Sequence, residues 1–546
     1  MKSAPIGIDD FKELRENDGY FVDKTVLIED IVTSRTTKVF LFTRPRRFGK
    51  SLNMSMLDAF FNKEYKGNTW FDGLKISDSE RYSSEKNRYP VILISLKGLE
   101  SKDYATFIDE FRARIVDVFA KYDYLLDSDL NRNLLEVFRR NSEGKSSETD
   151  LKNSLMNLTR LLEAYHHEKV IVLIDEYDNP IQHSFGKDSQ EKIIDFMRGL
   201  MTNALKTNES LKFGVVTGVM QIAKESIFSG LNNLYVNNVL SEDFDECYGF
   251  TESEVRELLT YYGHPEKFEE CKEWYDGYRF GNLEVYNPWS VINYVNERFK
   301  PAAYWGGTSG NDIIETLIRN ADDDTWKQLT DLGNGKTINS MIRTTVTMND
   351  IKGSGADIYS VLVMSGYLNA VPDEEEEYSL SIPNNEMRRV YAEMMSKELN
   401  DGADVQFRKV FNAMKEGDVQ KVEKTLFDLL DKNIPFFAIS KESDYQKILA
   451  VSAMCTQGKY ITTMESESGN GRVDIKMTSK DVRCPHITME LKKTESGSPD
   501  VWQTEAEGAL QQIKDRKYHN GLTGRILLYG ICFHGKEAKV VMEETF

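Results

Sequence analysis

Four uninterrupted apolar runs mark the first half of the chain: Lys38–Thr43 (KVFLFT), Pro90–Leu96 (PVILISL), Val170–Ile174 (VIVLI) and Phe213–Thr217 (FGVVT). A run without polar alternation has no face to turn to water, so each is predicted to be a strand buried on both faces. Longer stretches with helical patterning separate them. Strands that need cover on both sides, with helices between them, give a parallel α/β sheet.

At 546 residues, and with about 150 residues per domain, three or four domains are expected. Changes of pattern place the boundaries at 1–245, 246–335, 336–400 and 401–546. In the second region the strand signals stop. Ser253–Tyr262 and Pro288–Phe299 read as helices, joined by the aromatic segment Trp274–Trp289. Trp274, Tyr275, Tyr278, Tyr286 and Trp289 have the chemistry to stack bases, but packing between helices is the better reading. In the third region a helix near Ile358–Met364 leads into GYLNAV, the turn PDEEEE and YSLSIPN. Helix, strand, tip and strand make a winged-helix-like unit. A wing that reads nucleic acid carries Lys or Arg for the phosphates, so Glu374, Glu375, Glu376 and Glu377 point to a solvated or protein-facing hairpin. Amphipathic helices then lead into a last α/β segment. Its strands are predicted at Tyr460–Thr463, Val473–Met477, Ile487–Leu491 and Ile526–Phe533.

Lys and Arg number 69 against 88 Asp and Glu, a net charge of −19. The chain is no general polyanion binder, and any nucleic-acid contact needs a local basic surface. Five cysteines without a CxxC pair speak against a disulfide scaffold or a cysteine-rich zinc site. MKSAPIGIDDF has no basic-then-apolar signal, and no apolar run reaches the ~18 residues that span a bilayer. A soluble, cytoplasmic protein without membrane contact is expected.

The first strand runs straight into RPRRFGKSLNMSMLDAFF. Strand, tight loop ending Gly49-Lys50-Ser51, and helix are the layout of a phosphate loop. Loop N–H groups and the helix N-terminus hold phosphate, Lys50 reaches the outer phosphates, and the Ser51 hydroxyl ligates Mg²⁺. The pattern GxxxxGK[ST] is not fully met, because Arg44 stands at its first glycine. The run Val170–Ile174 ends in Asp175-Glu176. An apolar strand closed by these two acids fits a magnesium-holding Asp175 and a Glu176 that activates or positions water. Thr217 closes its strand where a polar residue would meet the terminal phosphate. Asp178 and Lys224 are further candidates, better read as structural. His166-His167 has no metal-spaced partner and reads as a helix end.

The last hundred residues carry GRVDI (Gly471–Ile475), MELKK (Met489–Lys493) and ALQQIKDRKY (Ala509–Tyr518). Glu490 and Lys492 are two apart, so on a strand they share a face. With Asp474 on a neighbouring strand, two carboxylates would sit beside one Mg²⁺ and an ammonium near the attacking water, which suits phosphodiester hydrolysis. Glu442 on an upstream helix and Gln512 on a following one are supporting candidates. Residues 471–546 hold 12 basic and 11 acidic residues, so this end does not repel a phosphate backbone.

These pieces are similar to the bacterial AAA-ATPase-like proteins that carry a C-terminal PD-(D/E)XK nuclease-like domain. The similar stretches span most of the chain: Pro5–Thr25, RPRRFGKS, LIDEYDNPI (Leu173–Ile181), Thr217–Leu234, Trp274–Ser290 and SGYL (Ser365–Leu368). The resemblance implies that RPRRFGKS is a working phosphate loop, which adds Arg47 and Phe48 to the nucleotide-binding set. Gln221 stands where such proteins often carry Arg, a departure that bears on hydrolysis and not on nucleotide binding. The expected architecture is α/β: a P-loop NTPase parallel sheet, a helical and winged-helix-like middle, and a C-terminal α/β PD-(D/E)XK nuclease-like domain.

The leading expectation is a nucleotide-dependent nucleic-acid enzyme. ATP with Mg²⁺ (or Mn²⁺) would lie on Gly49, Lys50, Ser51 and Asp175, with Thr217 at the phosphate and Glu176 as base. Asp474, Glu490 and Lys492 would cut phosphodiesters, with DNA favoured over RNA. One alternative is a nucleotide-switched scaffold whose nuclease-like fold is inactive. Another is an ATPase acting on protein partners, which the acidic tip and net charge favour. A homo-oligomer or a protein partner stays open.

Overall fold

The apolar runs are strands of one parallel sheet. β1 (Val39–Thr43), β2 (Val91–Ser95), β3 (Val170–Asp175) and β4 (Leu211–Gly218) are joined by a short β5 (Leu234–Asn237), in the order β2–β3–β4–β1–β5. Every neighbouring pair is parallel. The computed structural model describes residues 1–546 apart from 102, 207, 222–232, 307–311, 320, 345–354, 374–375, 400–403, 434–440, 455–459 and 469–470. Lys224, Glu374 and Glu375 lie outside the described residues.

Both faces of the sheet are covered, as unbroken apolar runs require. Val39 and Leu41 of β1 share a core with Val172 and Ile174 of β3 and with Phe107, Phe111 and Phe196 from flanking helices. Phe40 and Phe42 turn the other way and meet Phe244 at 6.1 and 5.0 Å between ring centres. Burying each such ring stabilises the fold by about 2–3 kcal/mol. The strand order has a consequence for chemistry. β4 lies between β1 and β3, pairing Thr217 with Phe42 and Val216 with Ile174. Three C-terminal strand ends therefore converge: the one entering the loop before helix Lys50–Phe61, the one ending near Thr217 and the one ending in Asp175.

The middle is mainly helical. Glu252–Tyr261 opens with a capping box between Thr251 and Glu254, and Pro288–Asn296 opens on Asn287, whose side chain accepts from Ser290 N. The expectation of no strands here is corrected by a small hairpin of β6 (Tyr278–Phe280) and β7 (Leu283–Val285). Its turn residues Gly281-Asn282 are a hairpin signal inside the aromatic segment. Of the aromatic cluster, Tyr275, Tyr278 and Tyr286 are buried in packing. Helix Gly355–Met364 leads to β9 (Asn369–Pro372) and β10 (Tyr378–Ser381), as expected, and β8 (Ile338–Ser340) adds antiparallel to β10.

The C-terminal sheet is mixed, in the order β11 (Tyr460–Ser468), β12 (Gly471–Ser479), β13 (His486–Lys493), β14 (Ile526–His534), β15 (Glu537–Thr545). Only β13 and β14 run parallel, and helix Pro499–Arg516 makes the crossover between them. That helix lies directly on β14 because position 530 is glycine. A Cβ there would collide with Ala506 O and come within 2.6 Å of Leu510 N. The chain divides into two compact units: Met1–Ile314 with Met341–Ala370, and Glu315–Ser340 with Val371–Phe546. Among the described residues no helix is long and apolar enough to cross a membrane.

Candidate functional site

In the first unit the convergent strand ends build a cleft of about 470 Å³. Gly49 is in the left-handed region (φ 83°), with open space where a Cβ would lie, and helix Lys50–Phe61 starts there without a side-chain cap. Uncapped N–H groups and the positive end of the helix dipole favour an anion at this point. Ser51 Oγ donates to Asp175 Oδ2 (2.7 Å), and Thr217 Oγ1 donates to Asp175 Oδ1 (2.5 Å). One carboxylate thus ties the helix start to β3 and β4. Lys50 is buried, and its ammonium donates to the loop carbonyls of Arg44 (3.0 Å) and Pro45 (2.9 Å). Burial lowers its pKa, which Glu176, Asp175 and Asp178 oppose. Glu176 is held at φ 54° just past the strand, and burial raises its carboxyl against the pull of Lys50.

The chain accounts for the residue that replaces the first loop glycine. Arg44 is fully buried, donating to Thr43 O (2.9 Å), Asn237 O (3.2 Å) and Asn237 Oδ1 (2.5 Å). Its guanidinium lies 4.9 Å from the Tyr248 ring and 5.0 Å from Phe280. Burial pushes its pKa down to about 10, so it stays charged at neutral pH. Arg44 therefore ties the loop to β5. Phe48 packs between Tyr278 and Phe280. Arg46 reaches Gln182 Oε1 (3.2 Å), while Arg47 stacks on Trp289. Asp178 has a structural task. It is buried and accepts from Val219 N (2.8 Å), Met220 N (3.0 Å) and Gln182 Nε2 (2.6 Å), fixing the chain beyond β4. Gln221 is buried at the end of that turn. On the far wall, Lys24 of the YFVDKT segment donates to Glu246 O (2.9 Å) and pairs with Glu254 at 2.6 Å, which anchors the N-terminal segment along the cleft.

In the second unit Asp474 of β12 and Glu490 of β13 lie on adjacent strands. Asp474 Oδ2 accepts from Leu491 N (2.7 Å) and Oδ1 from Gln446 Nε2 (3.1 Å). Glu490 is only 3% exposed. Its Oε1 accepts from Gln512 Nε2 and from Lys492 Nζ at 3.4 Å, whereas its Oε2 is buried without a hydrogen-bond partner. Burial, then the nearby Asp474, pushes its carboxyl up to about 7. Gln512 reaches Glu490 because Gly530, the β14 partner of Glu490, lets the crossover helix come close. Glu442 opens helix Glu442–Met454, and it is Gln446, one turn on, that bonds Asp474. Sequence reasoning did not single out Gln446, although its i+4 spacing from Glu442 places both on one helix face.

Both donor sets suit a hard divalent ion. Among the described residues no three His, Cys, Asp or Glu side chains cluster to hold a metal. Magnesium is commonly held by one or two carboxylates, with water and substrate oxygens completing its shell. Ser51 with Asp175, and Asp474 with the unpartnered Glu490 oxygen, provide such sets. The first cleft is also within the ~300–1,000 Å³ of small-molecule sites.

The comparisons with known proteins fit this geometry. An uncharacterized protein in the vnfD 5′ region of Azotobacter chroococcum mcd 1 is 26% identical over 564 residues, covering 99% of this chain and 98% of that one. Residues 5–228 match the predicted AAA-ATPase family, and residues 440–543 match the PD-(D/E)XK nuclease superfamily. The chain therefore carries a predicted AAA-ATPase-like domain over residues 5–228 and a PD-(D/E)XK nuclease superfamily domain over residues 440–543.

Proposed function

We propose that the first unit binds and hydrolyses ATP and that the second cleaves nucleic-acid phosphodiesters, DNA in preference to RNA. The observation that carries the reading is the meeting of Ser51 and Thr217 on one carboxylate, Asp175, beside a buried Lys50. Hydroxyl, carboxylate and ammonium groups held at the ends of three strands are what a nucleoside triphosphate with its cation needs. On this reading Lys50 exchanges its loop carbonyls for phosphate oxygens, and Ser51 and Asp175 would hold Mg²⁺. Glu176, its proton affinity raised by burial, orients the water and takes its proton. A cation held there would offset charge on the phosphate oxygens.

In the second unit Asp474 and Glu490 would share a Mg²⁺ or Mn²⁺ ion. Lys492 sits beside Glu490, where an ammonium can stabilise a pentavalent phosphate, and Gln446 and Gln512 hold the two carboxylates in place. The unpartnered Glu490 oxygen supports a working site over an inert scaffold, because a buried carboxylate oxygen without a donor costs stability unless a cation fills the gap.

The test is cleavage of DNA and RNA with Mg²⁺ or Mn²⁺, with and without ATP, beside Asp474→Ala. Cleavage that vanishes in the variant supports the assignment, and the ATP lanes report whether the first unit controls it. ATP binding without cleavage under any condition would favour a nucleotide-switched scaffold.

A further inference from the structure

The phosphate loop carries three arginines and a lysine, and all but one of these cations are committed to hydrogen bonds within the protein. Arg44 is locked on Asn237, Arg46 reaches Gln182, and Lys50 is turned onto loop carbonyls. Arg47 differs. Its guanidinium lies 4.2 Å above the Trp289 ring, and among the described residues it pairs with no carboxylate. The indole is itself fixed, donating from Nε1 to Tyr304 O at 3.0 Å. Arg47 and Trp289 both line the cleft with Lys50 and Glu176.

The backbone at Arg47 adds a second observation. Its φ is 69°, in the left-handed region where glycine is at ease and a long side chain is not. Strain of this kind concentrates where a side chain is being aimed at a ligand. A cation held on a ring face is attracted more weakly than one on a carboxylate or phosphate, so the stack holds the group without trapping it.

We propose that Arg47 is an arginine finger carried in cis, parked on Trp289 and drawn to the terminal phosphate of a bound nucleoside triphosphate, where it stabilises the transition state of hydrolysis. The inference rests on reading this cleft as a nucleoside triphosphate site. In the reaction a water oxygen bonds to the terminal phosphorus, and the bond from that phosphorus to the bridging oxygen breaks. The electron pair leaves with the nucleoside diphosphate, and the water proton passes to Glu176 and on to solvent. Negative charge grows on the bridging and terminal oxygens, and a planar guanidinium meets two of them at once. Trp289 is a positioning residue: it holds the finger on its ring face, within the cleft that Glu176 also lines.

The experiment compares wild type with Arg47→Ala, Arg47→Lys and Trp289→Phe. Affinity for ADP and for a non-hydrolysable ATP analogue is measured by calorimetry, hydrolysis by steady-state kinetics, and the indole by fluorescence. In Arg47→Ala, analogue affinity stays within about 3-fold while kcat falls at least about 100-fold, as for loss of an arginine finger. Arg47→Lys restores little, because an ammonium cannot present the guanidinium fork. In wild type the analogue shifts tryptophan emission more than ADP does, and the difference disappears in both Arg47→Ala and Trp289→Phe. Three results would overturn the proposal: wild-type kcat in Arg47→Ala, a loss confined to affinity, or wild-type protein that binds the analogue but never hydrolyses ATP. No binding of either nucleotide to wild type would instead remove the underlying reading of the cleft.

Discussion

The two candidate sites use the same ingredients, acids with a lysine, and arrange them in opposite ways. In the first unit the groups sit on strand ends and on the loop that leaves them, and Asp175 and Lys50 are satisfied internally. Asp175 accepts two hydroxyls and Lys50 donates to two carbonyls. In the second unit the groups lie within strands, where the period-two geometry points Glu490 and Lys492 to one face, and one Glu490 oxygen stays unpaired. The first site is self-complementary, so a ligand must exchange bonds with it. The second has a gap of negative character, so a cation adds bonds where none exist. A site of the first kind suits a ligand that comes and goes, and one of the second kind suits an ion that stabilises the fold it enters.

The strongest way to break this contrast is to remove one acid from each site. Glu176→Gln is expected to lower ATP turnover by about 100-fold or more while leaving nucleotide affinity nearly unchanged, because the role proposed for Glu176 is on water and not on phosphate. Asp474→Ala is expected to abolish cleavage and Mg²⁺-dependent stabilisation together. Calorimetric titration of Mg²⁺ and thermal melts with and without the ion check the second point. Equal stabilisation of wild type and Asp474→Ala by Mg²⁺ would remove the contrast.

Asp178→Ala probes an acid of the first unit that serves the fold. It leaves the Val219 and Met220 amides without a partner, and each unsatisfied buried donor costs about 1–3 kcal/mol, so a loss of about 3–4 kcal/mol is expected in denaturant melts. Glu490→Gln probes the opposite sign. The Glu490 carboxyl is pushed up from 4.5 to about 7, so the folded chain holds its proton more tightly than the unfolded chain does. Its contribution therefore favours folding at low pH and is lost as pH rises from about 4.5 through 7, some 2–3 kcal/mol in metal-free protein. Glu490→Gln should abolish that slope, and Mg²⁺ should flatten it in wild type. Identical slopes in wild type and variant, followed by denaturant melts at stepped pH, would contradict the assignment.

Much of this was legible in the residues, and the exceptions have physical causes. VFLFT, VILIS and VIVLID could be read because burial on both faces leaves no alternation. β5 (LYVN) escaped notice because three half-buried residues and a buried Asn237 at a sheet edge carry no such signal. β15 (EAKVVMEET) did too, since its polar residues resemble a surface loop. Gly49, Lys50, Ser51 and Asp175 followed from motif spacing, and Glu490 with Lys492 from strand period. The full burial of Arg44 could not be read, because Asn237, Tyr248 and Phe280 lie about two hundred residues away in sequence and only the fold brings them together. Gln446 was hidden for a similar reason: a glutamine on a helix declares no role until Asp474 is seen beside it.

The finest comparison is between two glycines, one serving each site. Gly49 is required by its backbone angle. At φ 83° an alanine is strained, but nothing lies within 4 Å of its Cβ, so Gly49→Ala should cost about 1 kcal/mol. The harm there is to loop shape, read as weaker nucleotide binding with little change in melting. Gly530 has no such angle and is required by space, because a methyl group would meet the backbone of the crossover helix at Ala506 and Leu510. Backbone cannot rotate out of the way as a side chain can, so Gly530→Ala should cost about 2 kcal/mol or more. The displaced helix carries Gln512 with it, so the same variant should lose cleavage and weaken Mg²⁺ binding although residue 530 touches no metal. Thermal melts of the two variants with Mg²⁺ titrations separate the causes. If Gly530→Ala melts and binds Mg²⁺ like wild type, close helix contact is not what holds Glu490 in place.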